Sequence, residues 1–297
     1  MDRLDALALF VAVAESGGFI AAARKTGRSP AAVSRAVAAL EDSLGQRLFN
    51  RTTRALSLTE AGEKALERGR RLLADYGDMA DALQAVGALR GVLTLTAPVM
   101  FGRLHIMPIV RDFLRQHPGL DVNLLLFDRV LSLVDEGVDV GLRIGRLPDS
   151  SLIALRVGSV RRVLVASPDY LAKAGVPQSP ADLADHAFVS TIGVSPAPSH
   201  WNLGPEEELT VRVRPRLAVN SVDAALEAVL SGLGVVRLFS YQVAEGLAQG
   251  RLVRLLPEFE PPAVPIHLLR PPGRAPRKAA LFVEAASAAL RAKFASV

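Results

Sequence analysis

The sequence contains no cysteine, and its five histidines stand singly at 105, 117, 186, 200 and 267. Without thiols there is no disulfide framework, no thiolate zinc site and no sensing by thiol oxidation. Without a His-x-x-x-His pair, a catalytic metal has no paired imidazoles to bind. No metal and no cofactor are therefore expected. No stretch reaches the roughly 18 uncharged apolar residues that span a bilayer. The apolar run 6–14 resembles the core of an export signal, but Asp2, Arg3 and Asp5 ahead of it sum to minus one, where such a signal is positive. A cytoplasmic location with no membrane partner is expected.

Net charge is also scarce, at +5 from 35 Lys and Arg against 30 Asp and Glu, but it is unevenly placed. Between Ala21 and Leu58 stand Arg24, Lys25, Arg28, Arg35, Arg47, Arg51 and Arg54 against Glu41 and Asp42, so the whole excess falls in that segment. A basic cluster suits nucleic acid, although a solvated face would read the same way. The 297 residues are 50% apolar and 22% charged, enough to bury cores for about two domains and too apolar for disorder.

Three textures divide the chain. Residues 1–58 carry short helical patterns punctuated by Gly and Ser-Pro. From Thr59 to Leu89 there is no proline, and apolar or small residues recur at Leu66, Gly69, Leu73, Tyr76, Ala80 and Leu83, the alternating three-and-four spacing of a coiled-coil seam. Thr59 with Glu60 and Glu63 supplies an N-cap and acidic first turn. A lone helix of about 30 residues at this spacing calls for a partner, the alternative being that it packs on its own domain. After Arg90-Gly91 strand and helix patterns alternate. Strands are predicted over 92–97, 121–126 and 138–144 with helices over 106–117 and 131–136, a β-α-β-α-β order that signals parallel sheet. A second set comprises strands over 162–166, 187–190, 209–213, 216–219 and 235–238, with helices over 169–174, 222–231 and 242–249. A strand over 266–269 and a helix over 276–294 close the chain. Such sheets bind ligands at the carboxyl ends of their strands, so two lobes would form a cleft between them.

The segment 21–40 carries the sharpest local signal. A short helix ends at Gly27, and Ser29 caps a second helix with Pro30 at its first position. Counting from Phe19, Ala, Gly and Val fall at positions five, nine and fifteen. A helix-turn-helix needs a small residue at the helix crossing, a glycine at the turn and a branched anchor in the second helix. That helix would present Ser29, Pro30, Ala31, Ser34 and Arg35 to the major groove, with Arg35 either pairing with guanine or clamping a phosphate. Two packed helices without a DNA role is the alternative. From Leu48 to Gly62, apolar anchors hold a short hairpin whose tip carries Arg51, Thr52 and Arg54, and a tip arginine can enter a narrow minor groove.

The residues Ala21-Ala22-Ala23, Ser29-Pro30-Ala31-Ala32-Val33-Ser34-Arg35, Leu40-Glu41, Leu48-Phe49 and Arg51-Thr52-Thr53-Arg54 closely resemble the winged helix-turn-helix of LysR-type transcriptional regulators. The likeness continues through Thr96-Ala97-Pro98, Arg143-Ile144-Gly145, Ser167-Pro168-Asp169-Tyr170-Leu171 and Gly232-Leu233-Gly234. It is strongest to the subgroup with Ser-Pro at the recognition-helix start. Thr26 stands where leucine is more usual, which weakens one packing contact.

The resemblance implies an α+β multidomain chain. Residues 1–58 would form the DNA-binding domain and 59–89 a linker helix pairing protomers through Leu66, Leu73, Tyr76 and Leu83. Residues 90–297 would form a two-lobed α/β effector domain resembling periplasmic binding proteins, one lobe over about 92–160 plus 267–297 and the other over about 161–266. It implies a homodimer or homotetramer on double-stranded promoter DNA, a small organic effector and contact with RNA polymerase. Carried onto this chain, the effector cleft would be lined by Pro98, Val99, Met100, Phe101, Phe127, Asp128, Gly145, Ser190, Thr191, Trp201 and Asn220. Met100 and Phe101 depart from a Ser/Thr-rich turn and suggest a ligand of substantial apolar area, with ordinary core packing as the alternative. Arg103 and His105 could meet an anion, although a solvated arginine is the commoner case.

Enzyme motifs are missing: there is no Gly-x-Ser-x-Gly elbow, no complete dinucleotide fingerprint and no Gly-Lys-Ser/Thr loop. A stand-alone transport binding protein would leave the first 90 or so residues without a role, and no export signal accompanies them.

Overall fold

The computed structural model describes residues 2–51, 56–83, 89–129, 132–134, 136–192, 200–273 and 275–295. The chain divides by its internal contacts into Met1–Leu89 and Arg90–Val297.

In the first unit, α1 (Arg3–Ser16), α2 (Phe19–Thr26) and α3 (Pro30–Leu44) surround Phe10, Val13, Ala22, Val33, Ala36 and Val37, all sealed from solvent. The small residues Ala22 and Ala36 let the helix axes approach. Helix α2 stops because Gly27 adopts φ 65°, a left-handed conformation that L side chains resist, and its N–H caps the carbonyl of Ala23. Helix α3 starts where Ser29 Oγ accepts the Ala32 N–H at 3.2 Å, with Pro30 at the first position. Thr26, the departure from leucine, donates its hydroxyl to the Ala22 carbonyl at 2.8 Å.

Strands β1 (Phe49–Arg51) and β2 (Leu56–Leu58) pair antiparallel, Phe49 opposite Leu58. Phe49 anchors this hairpin, its ring 5.3 Å from Phe10 and 5.8 Å from Phe19. Glu41 on α3 accepts the main-chain N–H groups of Leu48 and Phe49 at 2.7 and 3.2 Å, tying the hairpin to the helix.

Helix α4 (Glu60–Leu83) begins with Thr59 Oγ1 accepting the Gly62 N–H at 2.9 Å. Its early turns pack on their own unit: Ala61, Ala65, Leu66 and Leu73 lean on the core around α1. A Cβ on Gly69 would stand 2.9 Å from Leu7 Cδ1.

In the second unit, β3 (Gly91–Ala97), β4 (Leu120–Leu126) and β5 (Val140–Ile144) run parallel, while β6 (Ile153–Val160) joins the sheet through a strand that arrives late in the chain. Between β3 and β4 lie α5 (Val99–Phe101), a π-helical turn Gly102–Ile106 and α6 (Met107–Gln116). Pro108 has no N–H to give Leu104, and the wider turn, closed by Met107 N–H to the Gly102 carbonyl, absorbs that break. The segment expected to be helical over 131–136 forms turns at its described positions, with the Glu136 N–H bonded to the Ser132 carbonyl at 3.1 Å.

The other lobe holds β7 (Arg162–Ala166), α7 (Pro168–Ala174), β8 (Phe188–Thr191), a hairpin of β9 (His200–Leu203) and β10 (Leu209–Arg212), then β11 (Pro215–Val219), α8 (Val222–Leu230), β12 (Val235–Phe239), α9 (Ser240–Ala248) and β13 (Val253–Leu255). Strand β14 (Val264–Arg270) returns to the first lobe and α10 (Arg277–Phe294) packs there. The strand orders are β4-β3-β5-β14-β6 and β11-β8-β12-β7-β13.

Neither sheet is purely parallel, which corrects the reading from alternation. β14 runs antiparallel to β5 and β6, and β7 antiparallel to β12 and β13. In each five-stranded sheet four strands share one direction, and the fifth, β14 or β7, runs against them where the chain returns to or enters the lobe. Strands β6, β9 and β13 escaped the sequence reading because each is short or carries small and charged residues.

Candidate DNA interface and effector cavity

Ser29, Pro30, Ala31 and Arg35 form an exposed face at the start of α3, and Ser34 is half-buried beside them. The hydrophobic side of the helix, Val33, Ala36 and Val37, fixes which side faces outward. Arg35 has no ion pair among the described residues. Two other cations of the basic cluster are partly spoken for: Arg28 pairs with Asp5 at 2.8 Å and Lys25 with Glu15 at 3.4 Å. Arg51 ends β1, opposite Leu56. Thr52 and Arg54 lie outside the described residues.

Along α4, Leu66 and Leu73 are partly buried in their own unit, whereas Tyr76 is half exposed. Leu72 and Met79, absent from the sequence reading, are exposed with it at 53% each. Residues 72, 76 and 79 share one helical face. Leu83 ends the helix; its side chain lies outside the described residues.

The second unit contains a cavity of about 320 Å³. Pro98, Asp128 and Ile144 come to it from the first lobe; Arg162, Ser190, Thr191, Ile192, Trp201, Asn220, Val222, Arg237, Leu238, Phe239, Tyr241 and Gln242 come from the second. Of the residues singled out from sequence, Pro98, Asp128, Ser190, Thr191, Trp201 and Asn220 meet there. Val99, Met100, Phe101, Phe127 and Gly145 do not line it. Met100 and Phe101 are buried at 4% and 0% exposure, and Phe101 packs against Phe294 and Tyr241 with centroids 5.4 and 5.1 Å away. The expectation of a largely apolar ligand rested on these two side chains, and they serve the core instead. Phe127 is exposed, under the guanidinium of Arg129 at 5.3 Å. Arg103 pairs with Asp223 at 3.2 Å, and His105 sits among Phe101, Tyr241 and Phe294, so neither is set to receive an anion.

Two arginines in the wall were missed. Arg237 lies 5.2 Å above the Trp201 ring and donates to the Asn202 carbonyl at 3.2 Å; Arg162 lies 5.5 Å from the Phe239 ring. No described carboxylate is within ion-pair distance of either. Burial, followed by the Arg162 charge, lowers the Arg237 pKa to about 10, with Glu207 opposing. Burial also lowers that of Arg162. Tyr241 is held in its neutral form chiefly by burial. The signal available in sequence was an arginine inside the otherwise apolar strand Val235–Phe239.

A helix-turn-helix with an antiparallel hairpin, on one chain with two α/β lobes enclosing a polar cavity, defines a ligand-responsive DNA-binding regulator. The comparisons agree. Residues 4–63 match the family described as bacterial regulatory helix-turn-helix protein, lysR family, and residues 87–291 match the LysR substrate binding domain. The chain is 38% identical to the probable HTH-type transcriptional regulator LtrA of Klebsiella pneumoniae, covering 88% of this chain and 84% of that one. It is 37% identical to the HTH-type transcriptional regulator PtxR of Pseudomonas aeruginosa, over 95% of this chain and 91% of that one. Among solved structures, CrgA, a LysR-type transcriptional regulator from Neisseria meningitidis, superposes with a TM-score of 0.62 at 30% identity, covering 96% of this chain and 98% of that one.

The chain belongs to the LysR family of transcriptional regulators, and it is a regulator rather than an enzyme. Regulators of this family bind DNA and small-molecule effectors and are oligomeric. Among the described residues, no helix is long and apolar enough to cross a membrane.

Proposed function

We propose that this regulator acts in the cytoplasm as a homodimer or homotetramer that binds promoter DNA through residues 1–58, pairs through 59–89, and senses a small organic effector through 90–297. Ser29, Pro30, Ala31, Ser34 and Arg35 read the major groove while Arg51, Thr52 and Arg54 of the wing meet the adjacent backbone or minor groove. RNA polymerase is the partner through which a promoter-bound regulator acts. The observation that carries the reading is Arg35: an exposed arginine with no ion pair among the described residues, on the outward face of a helix whose start is capped and whose other side is locked in the core.

Leu66 and Leu73 contribute to pairing by stiffening α4 against its own domain, and Leu72, Tyr76 and Met79 offer the apolar face a partner helix would cover. The effector shifts the oligomer only by its differential affinity for two arrangements of the protomers. Fluorescence anisotropy of the full chain on DNA flanking its own gene, against scrambled DNA, tests the DNA reading. Affinity should favour the flanking sequence and fall steeply with salt as counterions are released. Equal affinity for both DNAs, or a flat salt response, would refute it.

A further inference from the structure

We propose that the effector is a small organic acid whose single carboxylate is held by Arg162 and Arg237. The proposal rests on the effector reading above. Strand β7 pairs antiparallel with β12, Arg162 opposite Phe239 and Leu164 opposite Arg237. Alternation therefore puts both arginines on the sheet face that carries Leu164, Val235 and Trp201, while Val163, Val165 and Val236 fill the other side. Two like charges brought together on one half-buried face repel, and the Glu207 carboxylate, beyond ion-pair distance of both, offsets this only in part, so an anion between them is favoured. Both guanidinia lie over aromatic rings, which positions their planes without consuming N–H donors. Arg237 spends one donor on Asn202, and the Arg162 side chain makes no hydrogen bond among the described residues.

The chemistry of the remaining wall favours a carboxylate. A phosphate group favours free main-chain N–H groups at a helix start; at the starts of α5 and α9 the first of these are absent or occupied, and at the start of α8 Ser221 Oγ accepts the Ala224 N–H at 3.3 Å. Pro98 has no N–H, and the Val99 N–H is taken by Asp128 at 3.0 Å. At the start of α9, the Phe239 N–H goes to the Gln242 side chain at 2.8 Å and the Ser240 N–H to the Arg161 carbonyl at 2.8 Å. The charged groups of this wall are the planar forks of two arginines, which match the two oxygens of a carboxylate. Asp128 on the opposite lobe disfavours a second anionic group at the ligand's far end, and a cavity of about 320 Å³ admits only a small molecule.

Trp201 is the sole tryptophan of the chain, lies under Arg237 and is 2% exposed, so only an ion drawn into the cavity can reach its ring and its emission reports on the site. In the full chain, iodide should quench Trp201 at least about threefold more strongly than caesium, because the arginines concentrate anions. Sodium benzoate should protect against that quenching, with benzamide and inorganic phosphate at least about tenfold less effective, the loss expected for a charge-assisted hydrogen bond. R162Q and R237Q should each reduce the iodide preference, and R237K, keeping the charge, should retain it, which a merely structural role would not produce.

Equal quenching by iodide and caesium in the parent overturns the proposal, as does protection by benzamide matching that of benzoate. Protection by phosphate exceeding that of benzoate overturns the carboxylate assignment. Benzoate binding that leaves operator affinity unchanged would keep the anion site and remove the effector reading. Operator affinity responding to benzamide as strongly as to benzoate would keep the effector reading and remove this inference.

Discussion

Replacing Glu41 with alanine should release the wing from the recognition helix while leaving the helix intact. One carboxylate oxygen, Oε1, receives the N–H groups of both Leu48 and Phe49, at 2.7 and 3.2 Å. Those two residues are 1% and 3% exposed, so water is poorly placed to replace the lost acceptor. A hydrogen bond to a charged group contributes about 1.5–3 kcal/mol. Because two donors share one oxygen and Glu41 is itself half-exposed, the pair together is worth about 2 kcal/mol rather than the full sum. Alanine is the better helix former, so α3 itself should not weaken. Hydrogen exchange of the Leu48 and Phe49 amides should therefore accelerate by roughly thirtyfold, with amides in the middle of α3 unchanged. Operator affinity should fall with it, since the hairpin of β1 and β2 loses its tie to α3. Glu41→Gln keeps a carbonyl acceptor and should lie between. Parental exchange rates at both amides in the alanine variant, or a glutamine variant worse than alanine, would refute the reasoning.

Arg35→Ala should cost about 1–3 kcal/mol of operator affinity if it reads a base, relaxing specificity at one position; unchanged binding in an anisotropy titration would remove Arg35 from the interface. Tyr76→Glu places a charge on the exposed face shared with Leu72 and Met79, and sedimentation should show the oligomer dissociating at higher protein concentration than the parent, whereas no shift would move pairing elsewhere. Gly62→Ala would drive a methyl group into the main-chain carbonyl of Leu48, which cannot swing aside, so thermal unfolding should detect a loss of about 1–3 kcal/mol. His105, whose pKa is lowered to about 4 by burial and then by Lys293, resists protonation when folded. Between pH 6.5 and 4 the unfolded chain takes a proton that the folded one refuses, so stability falls as pH drops through that window. His105→Gln should flatten the dependence of Tm on pH there, and an unchanged slope would falsify the assignment.

The DNA-binding unit was readable because its signals are local. Gly27, the Ser29-Pro30 cap and the spacing of Ala23, Gly27 and Val33 each act within a few residues, and the structure returns the helices at those places. The cavity was half readable. The family resemblance put Pro98, Asp128, Thr191 and Asn220 at the cleft, and each stands at or just past the end of a strand, a place that holds whichever way later strands run. Arg162 and Arg237 were not readable, since they meet only through the antiparallel pairing of β7 with β12, which alternation alone does not reveal. Nor could the turn at 98–101 show whether Met100 and Phe101 faced a ligand or the core: apolar side chains suit both, and the aromatic partners that decided it, Tyr241 and Phe294, come from distant segments.

The same division holds along α4. Heptad spacing announced a helix with an apolar stripe, but spacing cannot say which neighbour covers it; α1 takes Leu66, Gly69 and Leu73, leaving Leu72, Tyr76 and Met79 outside. By itself the sequence determined the class of protein, the recognition helix and the absence of thiol chemistry, because capping, turn conformation and composition are properties of short segments. Only the tertiary structure decided what the cavity is made of, because burial and charge depend on pairing between strands far apart in the chain.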